Sequence, residues 1–255
     1  HLFDFLVARN EKSQLMPGLA TEWKAIEPTV WEFKLRKGVK FSDGGDFTAA
    51  DVVASIERVP KVPNSPSPFT AYTKQITKID VVDPYTIRFR TAQPYPLMPS
   101  DMVQIAIVSK AAANASTDDF NAGKAAIGTG PYIVDSYEAS NRAVFRRNPD
   151  YFKPNKPYLD KVTLAIVPEL ASAMSAFQTG QVDTLGGVDC INAEQLRSQQ
   201  KSAQFQQMLS AEPGGYIAMD STKPPFNDAR VRRAISMAFN RDAEIGALEC
   251  EAGKP

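Results

Sequence analysis

Residues Trp31-Glu32-Phe33-Lys34-Leu35-Arg36 alternate strictly between apolar and charged side chains. This six-residue stretch constrains the fold most. A period of two places Trp31, Phe33 and Leu35 on one face of an extended strand and Glu32, Lys34 and Arg36 on the other. A helical period would scatter the same residues around an axis and bury charge with the rings. The chain must therefore build a sheet with one dry and one wet face. Val39 and Phe41 resume the alternation, and Asp43-Gly44-Gly45-Asp46 supplies a turn.

The pattern changes at Thr48-Ala49-Ala50-Asp51, a capping-box sequence in which a Thr hydroxyl and an Asp carboxylate three residues on serve each other's backbone amides. Val52, Val53, Ile56 and Val59 form the apolar stripe of the helix it opens, and Pro60 closes it. Pro60, Pro63, Pro66 and Pro68 make 60–68 an extended surface loop. Ile76–Arg90 reads as a hairpin turning at Asp83-Pro84, and Val103–Val108 as an apolar strand. Residues 112–126 read as a loop or weak helix. Strands are expected around Tyr132–Val134, Ala143–Phe145, Val162–Ile166 and Gly215–Asp220. Leu170, Ala173, Met174 and Phe177 give a helix stopped by Gly180, Asn192 caps a further short helix, and Asn227 or Asp228 caps one carrying Val231, Ala234, Ile235 and Ala238. Antiparallel strands dominate to about Phe145, helix and strand alternate after about Lys161, and a boundary is expected near 145–160.

Chemistry is scarce. The one histidine is His1, which removes the commonest general base and metal ligand, and neither Cys190 nor Cys250 sits in a C-x-x-C pair that would hold zinc. No metal and no cofactor are expected. Whether the two cysteines form a disulfide or stay as buried thiols is open. Asp43 and Asp46, Asp118 and Asp119, and Asp150 could in principle act as paired carboxylates in a hydrolase. Each lies in a turn or loop, where capping and solvation are the usual tasks of an acid. Gly128-Thr129-Gly130 looks like a phosphate loop, but the spacing fits neither glycine-rich signature and Pro131 lacks the amide such a cradle would use. With 29 basic and 29 acidic residues the chain has no surplus charge to attract nucleic acid or an anionic membrane. Arg230, Arg232 and Arg233 lie beside Asp228 and read as a solvated helix face. No apolar run reaches the roughly 20 residues that span a bilayer. His1–Asp4 shows neither a basic nor an apolar leader region, so no signal peptide is expected within the chain. Phe69, Tyr72, Tyr95, Tyr132, Tyr137, Tyr151, Phe152 and Tyr158 gather in or beside loops, where rings either line a cleft or anchor the loop to the core.

Taken in order, these segments resemble one family, the extracytoplasmic solute-binding proteins of peptide, dipeptide and nickel ABC importers. Seven stretches carry the resemblance: Met16–Trp23, Trp31–Gly44, Phe47–Val53, Gly128-Thr129-Gly130-Pro131-Tyr132, Arg147–Phe152, Phe177–Asp183 and Pro224–Ala234. Gly45 departs from the family's usual link before Phe47.

The resemblance implies a mixed α/β (α+β) fold, periplasmic-binding-protein-like. It has a first lobe carrying an inserted antiparallel β-rich subdomain and, since the family runs on for about as long again past Pro255, a second lobe mostly absent. The implied division is a lobe-one core at 1–28, the insert at 29–157, the core continued at 158–213, and a hinge with the start of lobe two at 214–255. It further implies a monomeric, non-enzymatic protein that captures peptides or a similar small solute between two lobes by hinge closure and hands it to the permease subunits of an ABC importer. A nickel complex, an opine or an oligosaccharide is the alternative cargo. The implied location is periplasmic, or extracellular and lipid-anchored in a Gram-positive source. Phe69, Tyr72 and Gln104 are the ligand contacts expected from this part of the chain. Gly128, Thr129, Gly130 and Tyr132 join them as motif residues that serve structure at least as much as ligand.

Overall fold

The computed structural model describes residues 2–63, 65, 68–199, 204, 217–240 and 243. The chain divides into two compact units, His1–Ile166 and Val167–Pro255.

The alternating stretch is a strand. In the first unit β3 (Ala20–Glu27), β4 (Val30–Leu35), β5 (Ile76–Asp83) and β6 (Thr86–Thr91) form an antiparallel sheet in the order β3-β4-β6-β5. Phe33, Leu35, Ile87 and Phe89 point into the core, and the Phe33 and Phe89 rings meet 5.2 Å apart. The opposite face is drier than alternation predicts. Glu32 is buried, because β4 is a central strand and Arg88 from β6 lies over it, donating from Nε to its carboxylate at 2.8 Å. That charge-assisted bond holds the carboxyl below its usual range.

The core of this unit gathers Phe33, Phe41, Phe47, Ile87 and Phe89 with Leu6, Leu19, Val52, Ile56 and Met98. Helix α1 (Ala49–Arg58) supplies Val52 and Ile56, with Val53 and Val59 packed at the edge. Its capping residue does double duty: Asp51 accepts the Thr48 amide at 2.9 Å and the Lys110 amide at 2.9 Å. Ser55 accepts the Val108 amide at 2.9 Å, so α1 is bonded along its length to 108–110. The loop after α1 starts with a 3-10 turn at Val59–Lys61 and leads to the short helix α2 (Thr70–Thr73). Pro66, one of the prolines counted in this loop, lies outside the described residues.

The expected strand at Val103–Val108 does not form. A helical turn, α3 (Met98–Asp101), runs on into residues 102–104 and buries Met98, Met102 and Ile105. Those spacings of four and three are helical, and they outweigh the β-rich composition that follows. Only Ala106 makes a bridge, with Phe5. The weak helix expected within 112–126 is α4 (Thr117–Asn121), capped by Ser116 and Asp119.

A hairpin of β1 (Val7–Arg9) and β2 (Leu15–Pro17) precedes the large sheet, and β7 (Tyr132–Glu138), β8 (Arg142–Arg147) and β9 (Lys161–Ala165) form a third sheet in that order. The β8–β9 pairing spans 145–160, so the compact unit closes after β9.

In the second unit α5 (Leu170–Gln178) buries Ala173 and Met174 and ends at Gly180, whose φ of 73° suits a residue without Cβ. The cap of α6 (Cys190–Gln199) is Asp189 rather than Asn192: the Asp189 carboxylate accepts the Asn192 amide at 2.9 Å, so Asn192 lies inside the helix. Asp228 caps α7 (Ala229–Ala238), accepting the Arg230 amide at 2.8 Å. Arg230 is almost wholly exposed and pairs with that same Asp228, in keeping with a solvated face. Ile217–Asp220 are irregular, and Gly215 and Tyr216 of the expected strand lie outside the described residues, as do Cys250 and the side chain of Cys190.

Candidate functional site

The sequence motifs converge on the N-terminal segment. Leu2–Leu6 is an extended run held by three other stretches. Leu19 and Ala20 donate backbone N–H groups to the carbonyls of Phe5 and Leu6 at 2.9 Å each, Ile107 donates to Asp4 at 3.0 Å, and Gly130 donates to Leu2 at 2.9 Å. Two glycines make the approach possible. A Cβ on Gly18 would lie 2.4 Å from the Phe5 carbonyl oxygen, and one on Gly128 only 2.0 Å from that of Leu2. Backbone contact that close excludes any side chain at either position.

Asp4 is the polar centre of this region. The fully buried Thr129 donates its hydroxyl to Asp4 Oδ2 at 3.1 Å, and Tyr151 donates to Oδ1 at 3.3 Å. Burial pushes the Asp4 carboxyl above its ordinary value, opposed by these two hydrogen bonds and by the charge of Lys153. Burial and the neighbouring carboxylate also push the Tyr151 hydroxyl well above its usual pKa. Asn148 completes the clamp, its side-chain amide donating to the Gly130 carbonyl at 2.8 Å and its backbone amide to that of Pro131 at 2.9 Å. Phe152 packs under the Arg36 guanidinium, 5.0 Å from ring centre to carbon. The 128–132 and 147–152 stretches are thus two jaws gripping the N-terminal segment.

The residues expected at a ligand fall into separate groups. Gly128, Thr129 and Gly130 belong to the buried clamp. Tyr132 begins β7 opposite Arg147 and is half-buried. Phe69 and Tyr72 form a tilted ring pair 5.9 Å apart, Phe69 47% exposed and Tyr72 resting on the core. Gln104 is half-buried at the end of the α3 turn, and no hydrogen bond or ring contact among the described residues joins it to that pair. None of them lines the groove of about 480 Å³ beside Lys34, Arg36, Lys37 and Tyr85.

Three of the five candidate carboxylates have structural tasks. Asp43 closes a turn by accepting the Gly45 amide, Asp46 pairs with Lys40, and Asp119 caps α4. Among the described residues no group of three or more His, Cys, Asp or Glu side chains could hold a metal ion. Several of the loop aromatics are anchors: Tyr151 holds Asp4, and Tyr95 donates to Asp101 at 2.7 Å while its carbonyl accepts the Trp31 indole. Asp4 itself stands out only once the tertiary structure is known, for it lies in an ordinary apolar segment with no motif around it.

Antiparallel sheets, flanking helices and a clamped N-terminal segment make this a mixed α/β fold of the periplasmic-binding-protein kind. Residues 14–253 match the family described as "Bacterial extracellular solute-binding proteins, family 5 Middle", and the chain belongs to that family. Among curated relatives, the glutathione-binding protein GsiB of Shigella boydii serotype 4 is 30% identical over 215 residues, covering 83% of this chain and 41% of GsiB. The periplasmic oligopeptide-binding protein OppA of Escherichia coli K12 is 26% identical over 277 residues, covering 100% of this chain and 50% of OppA. The solved structure of the periplasmic binding protein DppA from Helicobacter pylori, in complex with the peptide STSA, superimposes with a TM-score of 0.74 at 26% identity, covering 96% of this chain and 52% of that one. The chain spans about half the length of the relatives it matches. Family members are binding proteins.

Proposed function

We propose that this chain is part of an extracytoplasmic solute-binding protein that captures a peptide or peptide-like solute and delivers it to the permease subunits of an ABC importer. The family match over 14–253 carries the reading. The relatives support the cargo class: one is named for binding glutathione, itself a tripeptide, one for oligopeptides, and one was solved with a peptide bound. The periplasmic relatives support the location. Phe69 and Tyr72 are proposed as the aromatic contact of this part with the ligand, because a ring half open to solvent and backed by a second ring offers apolar area at low entropic cost. Gln104 is proposed as a polar contact with the ligand, while Gly128, Thr129 and Gly130 are proposed to act by holding the N-terminal segment in place, with Tyr132 following them at the start of β7. Segments 1–28 and 158–213 are proposed as lobe-one core, 29–157 as its insert, and 214–255 as hinge and start of lobe two. The protein is proposed to bind without turnover.

Calorimetry on the protein at its full encoded length tests this, with a di- to pentapeptide library, metal chelates and oligosaccharides as ligands. Saturable one-to-one binding of peptides with the ligand recovered intact is expected. Turnover of a ligand that disappears in Asp43→Asn or Asp150→Asn would establish a hydrolase instead.

A further inference from the structure

Charges on the outer face of the large sheet pair with one another: Arg88 with Glu32 at 2.7 Å, Lys78 with Asp80 at 2.8 Å, and Arg90 with the same Asp80. The pairing stops at the end of β4. Lys34, Arg36 and Lys37 stand close together there, and neither Arg36 nor Lys37 makes an ion pair among the described residues. Lys34 has only Glu32, 3.6 Å away, which Arg88 already holds. In a chain with 29 basic and 29 acidic residues this is a local surplus of positive charge that the overall composition does not supply.

All three cations line one groove, the concavity of about 480 Å³ between the end of β4 and the turn joining β5 to β6. Every residue that lines it belongs to the first unit. Each cation is held in place by a contact that leaves N–H groups over. The Lys34 ammonium donates to Thr86 Oγ1 at 3.1 Å. The Arg36 guanidinium lies over the Phe152 ring and donates through Nε to the Gly18 carbonyl at 3.3 Å, and its terminal nitrogens make no hydrogen bond among the described residues. Lys37 Nζ lies 5.5 Å from the centre of the Tyr85 ring. The one acid in the groove, Asp83, is already occupied, accepting the Tyr85 amide at 2.7 Å. That amide, the Thr86 hydroxyl and the charges of Lys34 and Lys37 hold its carboxyl below the usual range, so it is ionised at neutral pH and offsets one of the cations.

We infer that this groove is a binding site for a small soluble oxyanion of the phosphate or carboxylate class, separate from the capture of cargo. Cations fixed around a concave space, with unused N–H groups, match an anion that offers several oxygens at once, and a guanidinium can address two of those oxygens in its own plane. The walls are fixed as well: Thr21 donates its hydroxyl to the Lys34 carbonyl at 3.2 Å, and the Leu35 amide donates to the Tyr85 carbonyl at 2.8 Å. The inference does not rest on the cargo, because Phe69, Tyr72 and Gln104 lie outside the groove.

Titration of the protein at its full encoded length with inorganic phosphate, followed by amide NMR shifts, tests the site, with sodium chloride at matched ionic strength as the reference. Saturable shifts at residues 34–37, 85 and 86, absent with chloride, are expected. Lys37 is exposed, and Lys37→Gln should weaken phosphate binding about threefold. Asp83→Asn keeps an acceptor for the Tyr85 amide and should strengthen it by about the same factor. Lys78→Gln removes an equal charge outside the groove and should leave the affinity unchanged. The inference is overturned by phosphate that leaves those amides unmoved, by equal shifts with chloride, or by equal weakening in Lys37→Gln and Lys78→Gln. Adsorption to phosphatidylglycerol vesicles without binding of free phosphate would overturn it too.

Discussion

The Thr129 hydroxyl donates to the Asp4 carboxylate at 3.1 Å, joining positions 125 residues apart in the chain. The bond ties the end of one family motif to a segment with no motif at all. Removing the donor in Thr129→Val leaves a largely buried carboxylate with one fewer partner, and a loss of about 1–3 kcal/mol is expected in urea denaturation.

Asp4 also sets a pH dependence. Burial raises its folded-state pKa above the ordinary 3.8, so the folded protein holds this proton more tightly than the unfolded chain does. The resulting stability is fully present below about 3.8 and is lost as pH rises through the raised value. Asp4→Asn fixes the neutral form, and its denaturation midpoint should fall less than that of the wild type across this window. Equal pH slopes for the two proteins would contradict the assignment.

Glu32 behaves with the opposite sign. The hydrogen bond from Arg88 is the largest influence on it and lowers its pKa below the ordinary 4.5. Its contribution is present above 4.5 and is lost as pH falls through the lowered value. Arg88→Ala leaves the buried carboxylate with only the more distant Lys34 ammonium, 3.6 Å away, and should cost about 1–3 kcal/mol at neutral pH. Glu32→Gln with Arg88→Ala should recover part of that loss, as measured by a double-mutant cycle.

Gly128→Ala separates a structural role from a ligand contact. The added methyl would meet the Leu2 carbonyl oxygen at 2.0 Å, so the N-terminal segment must move, at a cost of about 3 kcal/mol. Gly44→Ala, with φ of 86° but open space around the Cβ, should cost only about 1 kcal/mol. A Gly128→Ala protein of unchanged stability and altered ligand affinity would assign the glycine to the ligand.

Phe69→Ala tests the proposed contact. The ring is half exposed, so stability should change by no more than about 0.5 kcal/mol. Peptide affinity should fall about tenfold or more, which calorimetry would detect. Unchanged affinity would remove the Phe69–Tyr72 pair from the site.

Local signals were readable wherever one short stretch carries its own instruction. The Thr48–Asp51 capping box, the Asp83-Pro84 turn and the Gly180 stop all appear where their side-chain chemistry puts them. The reading failed where two patterns competed. Val103–Val108 has the composition of a strand, but the spacing of Met98, Met102 and Ile105 draws its beginning into a helical turn. Asn192 was a plausible cap, yet Asp189 three residues earlier took the role, because a carboxylate reaching the Asn192 amide starts the helix first.

The sequence by itself determined the alternating strands, the capped helices and the motif order that marks the family, because each is written in residues close together along the chain. Tertiary structure alone decided that Glu32 on the expected wet face would be covered by Arg88, that Thr129 and Tyr151 would close on Asp4, and that Gly128 would meet the Leu2 backbone. These are encounters between side chains far apart in sequence. Each requires burying a charge or bringing two backbones into contact, and what that costs depends on what the rest of the fold places opposite.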